Sequence, residues 1–226
     1  MAIKHVFFDL DHTLWDFETN SEKAYAKCFN LYQINTDFDI FMSKYRPINE
    51  KYWKWYREEK VTKEELKYGR LKEVFDAVNH PVSDDLINKL AEDYLKFLPE
   101  FNQLFDGTFE VLDYLKEKYS LHIITNGFEE IQTHKMEQSG LKQYFDQLIT
   151  SESVGVKKPN PKVFYYALEK ANAKAQESMM IGDSLEADVL GALAIGLDAI
   201  HFEPFDNNKK NGIKSISSLL ELKNYL

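Results

Sequence analysis

The sequence predicts an α/β protein: an open, mostly parallel, doubly wound sheet with an all-helical insert after its first strand. Three observations carry that expectation. Apolar runs at residues 4–8, 121–125 and 179–181 are too short for helices and read as buried strands. Each ends in polar residues and leads into a loop or a helical pattern, the alternation that builds a parallel sheet. Residues 17–101, between the first two runs, show almost no strand pattern and are dense in Tyr, Trp, Phe, Lys and Glu.

Residues 4–8 make the first strand, and the insert follows with four helices. Ala24, Cys28 and Tyr32 share one face of the first helix at i, i+4 spacing. Pro47 is expected to open the second, which contains Trp53, Trp55 and Tyr56, because proline suits the first helical position. Thr62-Lys-Glu-Glu65 has the form of a capping box, followed by Leu71, Val74, Phe75 and Val78 on one face. The fourth helix runs from Ser83 to about Leu98, with Ile87, Leu90, Ala91, Tyr94 and Leu98 on its inner stripe. The core resumes near Phe105-Asp106-Gly107, and Gly140 and Gly196 are suitable helix stops. The expected division is therefore a core of residues 1–16 and 102–226 and an insert of residues 17–101. Trp53, Tyr56 and Arg70 are read as part of the insert's own packing, since aromatic residues at helical spacing are mostly buried.

The chemistry lies at the strand ends. Asp9 and Asp11 are two apart, so they leave an extended segment on the same side. Like charges that close need a cation or a shared proton. Such a pair suits a carboxylate nucleophile beside a general acid/base, with a divalent metal between protein and anionic substrate. The Thr125 hydroxyl and the backbone N–H groups around Asn126 and Gly127 suit phosphate oxygens. Lys158 sits in a loop restrained by Pro159, before a helix opened by Pro161 with Phe164, Leu168 and Ala171 in its pattern. An ammonium there can neutralise a carboxylate and a phosphoryl oxygen together. Residues 179–188 end a strand in Asp183 and Asp188, suited to hard oxygen ligation of Mg²⁺, with Ser184 or Asp183 as a helix N-cap. Singly, each motif has an ordinary structural explanation: an Asp-rich turn, an Asn-Gly turn, a solvated lysine, a polar helix start. Jointly, they fall at or beside the strand ends that a parallel sheet gathers into one ligand-binding crevice.

The set Asp9-x-Asp11-x-Thr13, Thr125-Asn126, Lys158-Pro159 and Gly182-Asp183-x-x-x-x-Asp188 resembles the four motifs of the haloacid dehalogenase superfamily, over nearly the whole chain. Ile123-Ile-Thr-Asn-Gly-Phe128 and Ser151-Glu-Ser-Val-Gly-Val-Lys-Lys-Pro-Asn160 are similar to bacterial pyrimidine 5′-nucleotidases. The resemblance implies a Rossmann-like core, a helical cap and Mg²⁺-dependent hydrolysis of a small phosphate ester, with nucleoside monophosphates as substrates. It implies Asp9 as a nucleophile that forms an aspartyl-phosphate. Asp11 would protonate the leaving oxygen and later activate water. Thr125, Asn126 and Lys158 would hold the phosphoryl group, and Lys158 would also steady Asp9. Asp9, the backbone carbonyl of Asp11 and Asp183 would ligate Mg²⁺. Asp188 would reach the metal through water or pair with Lys158.

Composition sets outer bounds. A net charge of −9 argues against a surface for nucleic-acid polymers. The single cysteine, Cys28, forms no internal disulfide, which suits a reducing cytosol. Residues 1–10 run straight into the first motif without a signal peptide, and no stretch approaches the roughly 20 apolar residues of a membrane span. A cytoplasmic monomer or homodimer is expected. Three competing functions share parts of this pattern. A sugar-phosphate phosphatase or phosphomutase uses the same aspartyl-phosphate. A 2-haloacid dehalogenase also attacks through the first Asp, but it needs neither a proton donor nor a metal, so Asp11 and the acidic fourth motif are surplus to it. A non-catalytic phosphate sensor has no need of every reactive side chain retained in this sequence.

Overall fold

Val6, Phe7 and Phe8 are wholly buried, as a run without polar alternation must be when both faces of its strand are covered. In the computed structural model, which describes residues 2–205 and 212–226, that run is strand β1 (His5–Phe8). It is followed in the chain by β2 (Ser120–Thr125), β3 (Gln147–Thr150), β4 (Ser178–Gly182), β5 (Asp198–Phe202) and β6 (Ser215–Ile216). They form one parallel sheet in the order β3-β2-β1-β4-β5-β6. The chain moves outward from β1 to β3, then crosses to the other side of β1 for β4. The switch point thus lies at β1 and β4, where open α/β sheets bind ligands. Phe8 is in register with Ile123 on β2 and Ile181 on β4, so the polar residues after all three strands emerge at one level. This is the α/β class expected from the sequence.

The chain separates into two compact units, Met1–Phe17 with Asn102–Leu226, and Glu18–Phe101. The connections between them are paired within the first unit. Trp15 bridges Leu104 in antiparallel fashion, Asp16 N–H donates to the Gln103 carbonyl at 3.0 Å, and Phe105 N–H donates to the Leu14 carbonyl at 3.0 Å.

The second unit is built of helices α1 (Phe17–Tyr32, its first residue in the other unit), α2 (Phe38–Arg57), α3 (Lys63–Ala77) and α4 (Asp84–Phe97). Its core is aromatic: Tyr25 stacks on Tyr94 at 4.1 Å and meets Phe41 and Tyr45 edge-on. Arg70 is buried, donates to Asn49 at 2.7 Å and lies over the Tyr45 and Tyr94 rings. The Thr62–Glu65 capping box forms at the head of α3, and Ser83 caps α4. Pro47 departs from expectation. It lies inside α2, whose N-cap is Asp37, accepting from Ile40 N–H at 2.9 Å. An interior proline costs about 3 kcal/mol. Burial of Phe41, Met42 and Tyr45 before it, and of Asn49 and Tyr56 after it, anchors the helix on both sides and offsets that cost.

Among the described residues, no helix is long and apolar enough to cross a membrane.

Candidate active site

Asp9 follows β1 directly and donates its N–H to the Ile181 carbonyl at 2.9 Å, which continues the sheet register past the strand end. Its carboxylate is nearly buried and accepts from Lys158 Nζ at 2.6 Å. Lys158, 2% exposed, also donates to Asp188 Oδ1 at 2.5 Å and to the Ile124 carbonyl at 2.6 Å, so all three of its hydrogens are used. The loop that carries Lys158 is held by Asn126. Its side-chain amide accepts from Lys158 N–H at 2.8 Å and donates to the Lys158 carbonyl at 3.0 Å. The Asn126 side chain thereby holds the loop at both the N–H and the carbonyl of Lys158. Gly127 N–H is likewise occupied, donating to Thr125 Oγ1 at 3.1 Å.

On the other side of β1, Asp183 follows β4. Thr13 braces it twice, accepting from Asp183 N–H at 3.1 Å and donating to Oδ1 at 3.4 Å. His201 Nε2 lies 2.6 Å from the Asp183 carbonyl. Because a carbonyl only accepts, that nitrogen carries the hydrogen. Asp188 sits in a π-helical turn (Leu185–Leu190) capped by Ser184, and its Oδ2 accepts from Ser184 N–H at 3.0 Å. Gly182 permits this fold-back: a Cβ there would lie 2.3 Å from Asp188 Oδ2.

Carboxylate oxygens of Asp9, Asp183 and Asp188 lie within 4.8 Å of one another. Three carboxylates therefore crowd one ammonium, which pairs with two of them. Burial, reinforced by Asp188 and Asp183, pushes Asp9 well above the usual carboxylate range despite the pull of Lys158. Burial and then Asp188 push Asp183 up to about 7. Burial alone would depress the Lys158 ammonium, yet Asp188 and Asp9 drive it above the ordinary lysine value. This negative excess, presented by oxygen donors alone, fits a hard divalent cation. Among the described residues, hydrogen bonds occupy one oxygen each of Asp9 and Asp183 but both of Asp188. Asp9 and Asp183 are thus the carboxylates with an oxygen to spare for a cation, and Asp188 serves Lys158.

Asp11 stands apart from that cluster. Lys135 Nζ donates to its Oδ1 at 2.5 Å, and Gln132 Nε2 to its Oδ2 at 2.9 Å. Both partners lie on α6 (Glu129–Gln138), which follows α5 (Thr108–Lys116), β2 and the Thr125-Asn126-Gly127 loop. Sequence reasoning passed over both, along with the bracing by Thr13 and His201. A signal existed for the two on α6. Phe128, Gln132, Lys135 and Met136 follow one helical stripe, and all are buried. Two polar residues on such a stripe require partners inside the protein.

A parallel sheet with buried carboxylates and a buried lysine at its switch point defines an α/β protein whose strand ends offer oxygen donors and an ammonium side by side. A family model described as haloacid dehalogenase-like hydrolase matches residues 3–196. The chain belongs to that family, and it is an enzyme of the family's phosphatase type. It is 32% identical to pyrimidine 5′-nucleotidase YjjG of Escherichia coli (strain K12), over 98% of this chain and 96% of that one. It is 33% identical to pyrimidine 5′-nucleotidase PynA of Streptococcus pneumoniae, over 90% of this chain and 85% of that one. Among solved structures, the putative hydrolase YfnB from Bacillus subtilis, bound to magnesium, superposes with a TM-score of 0.91. That match has 30% identity and covers 100% of this chain and 99% of that one.

Proposed function

We propose that the protein is an Mg²⁺-dependent phosphomonoester hydrolase that works through an aspartyl-phosphate and acts on pyrimidine nucleoside 5′-monophosphates. One observation carries the reaction. Two carboxylates beside the same strand end each meet a buried ammonium, but Asp9 stands among further carboxylates while Asp11 has donors on both oxygens. A bound cation would keep Asp9 ionised, as a nucleophile must be, and donors on both Asp11 oxygens hold that carboxylate in one orientation for proton transfer. The substrate class rests on the two nucleotidases to which the chain is similar along most of its length.

One carboxylate oxygen of Asp9 attacks phosphorus. The ester P–O bond breaks, and a proton on Asp11 passes to the leaving oxygen. Asp11, now a carboxylate, takes a proton from water as that water attacks the aspartyl-phosphate. The Asp9–phosphorus bond breaks and phosphate leaves. Lys158 orients Asp9, and Thr125 donates its hydroxyl hydrogen to a phosphoryl oxygen, because Gln132 and Gly127 already donate to its oxygen. Asp9, the backbone carbonyl of Asp11 and Asp183 would hold Mg²⁺, which when bound neutralises charge on the transferring phosphoryl group.

Cation binding should depend on pH. Between about pH 4, where an unfolded aspartate titrates, and about 7, where Asp183 does, the folded metal-free protein keeps a proton that the unfolded chain releases. Raising pH across that window therefore lowers metal-free stability. Mg²⁺ need not displace the proton above it, so the Mg²⁺-induced rise in melting temperature is expected to be larger at pH 8 than at pH 5.5. An equal or larger rise at pH 5.5 would contradict the assignment. Chelation should also silence hydrolysis, whereas metal-free halide release from a 2-haloacid would favour the dehalogenase reading.

The substrate is tested by a panel of phosphate monoesters with Mg²⁺. kcat/KM for UMP or dTMP is expected to exceed that for glucose 6-phosphate by at least about tenfold, which needs only roughly 1.4 kcal/mol of differential transition-state binding. A sugar phosphate preferred over every nucleotide would replace the nucleotidase reading with a sugar-phosphate phosphatase or mutase. Product analysis separates those two.

A further inference from the structure

The reactive edge carries a second buried ammonium that none of the four motifs contains. Lys135 is 2% exposed and donates to Asp11. Gln132, one turn earlier on α6, donates both hydrogens of its amide, to Asp11 Oδ2 at 2.9 Å and to Thr125 Oγ1 at 2.7 Å. We propose that Lys135 and Gln132 are positioning residues, a two-point clamp that fixes the plane of the Asp11 carboxylate and ties it to the Thr125 hydroxyl. The proposal rests on the reading of Asp11 as proton carrier and deepens it.

The terminal torsion of an aspartate is broad, so a carboxylate beyond a strand end swings unless both oxygens are held. Donors on both remove that freedom, and proton transfer to a leaving group depends on such alignment. The orientation of the Gln132 amide follows from chemistry. With Asp11 ionised beside Lys135, it only accepts, so the nitrogen must face it. Its second hydrogen then makes Thr125 an acceptor and leaves the threonine hydrogen to donate elsewhere. Lys135 is itself located by aromatic rings, with Nζ 4.1 Å from the centre of Trp15 and 5.5 Å from that of Phe17. Gly127 makes room for the clamp, since a Cβ there would lie 2.5 Å from the Gln132 side chain. The glycine of the Thr-Asn-Gly segment thus serves the proton carrier as well as the loop.

The test is single-turnover formation of the aspartyl-phosphate from ethyl phosphate and from 4-nitrophenyl phosphate, with saturating Mg²⁺. Nitrophenolate leaves with little protonation, so it is insensitive to a misaligned acid. Lys135→Met keeps the apolar stem and removes the donor. It should slow the ethyl ester about 10²-fold and the nitrophenyl ester less than about threefold, the same skew as Asp11→Asn, with KM within about twofold of the parent. Lys135→Arg should restore most of the ethyl ester rate. Gln132→Met should show the skew together with a KM raised about tenfold, because Thr125 loses an orienting donor. If Lys135→Met fails to fold, Gln132→Met carries the same comparison. Equal losses on both esters, or none, in a folded variant would overturn the clamp while Asp11→Asn keeps its skew. A parent that forms no phosphoprotein, or an Asp11→Asn variant without the skew, would instead overturn the roles of Asp9 and Asp11, and the clamp with them.

Discussion

Asp9→Asn is expected to abolish turnover, by at least about 10⁴-fold, the scale on which loss of a nucleophile registers in enzymes with covalent intermediates. An amide neither attacks phosphorus nor offers a cation the same charge. The fold should survive, because Lys158 retains Asp188 and the Ile124 carbonyl as partners, and loss of one carboxylate relieves crowding around Asp183 and Asp188. The measurement pairs steady-state hydrolysis with a melting curve. Turnover within about tenfold of the parent would remove Asp9 from the role.

Lys158→Met should be costly twice over. Its ammonium is the cation shared by Asp9 and Asp188, both nearly buried. Removing one partner of a buried ion pair costs about 3–5 kcal/mol, because the charge left behind has lost both water and its counter-ion. Turnover should fall at least about 10³-fold as Asp9 loses its orientation and the phosphoryl oxygens lose a positive neighbour. The two effects separate by pH. Stranded carboxylates escape the penalty by binding protons, so the stability deficit against the parent should shrink from pH 8 to pH 5. Denaturant titrations at both pH values check this, and a deficit that is the same or larger at pH 5 would place the damage in packing.

The strand ends were legible in the sequence because each motif is contiguous. Asp9-x-Asp11, Thr125-Asn126 and Gly182-Asp183 each follow an apolar run, and a parallel sheet delivers such ends to one edge whatever lies between them. The capping box at Thr62 was legible for the same local reason, and Ser184 was one of two caps offered for its turn. What lies across the fold was not. Proline geometry is a local rule, and at Pro47 burial on both sides of the residue overrides it. Lys135 and Gln132 meet Asp11 across more than a hundred residues of chain, and among Glu129, Glu130, Glu137 and Gln138 the stripe they share with Phe128 and Met136 is easily passed over. Asn126 is a subtler case. The sequence marks it as part of a ligand loop, but only the fold brings its side chain to the backbone of Lys158.

The paired segments at residues 14–16 and 103–105 have an entropic consequence. Where the chain leaves the sheet for residues 18–101 and where it returns are already neighbours, fastened by backbone bonds that no side chain has to specify. Anything spliced into that seam closes a ring whose ends are fixed in advance, and doubling the spliced length adds only about 0.6 kcal/mol of closure entropy. Residues 18–101 can therefore lengthen at little closure cost while the end of β1 stays where the sheet holds it.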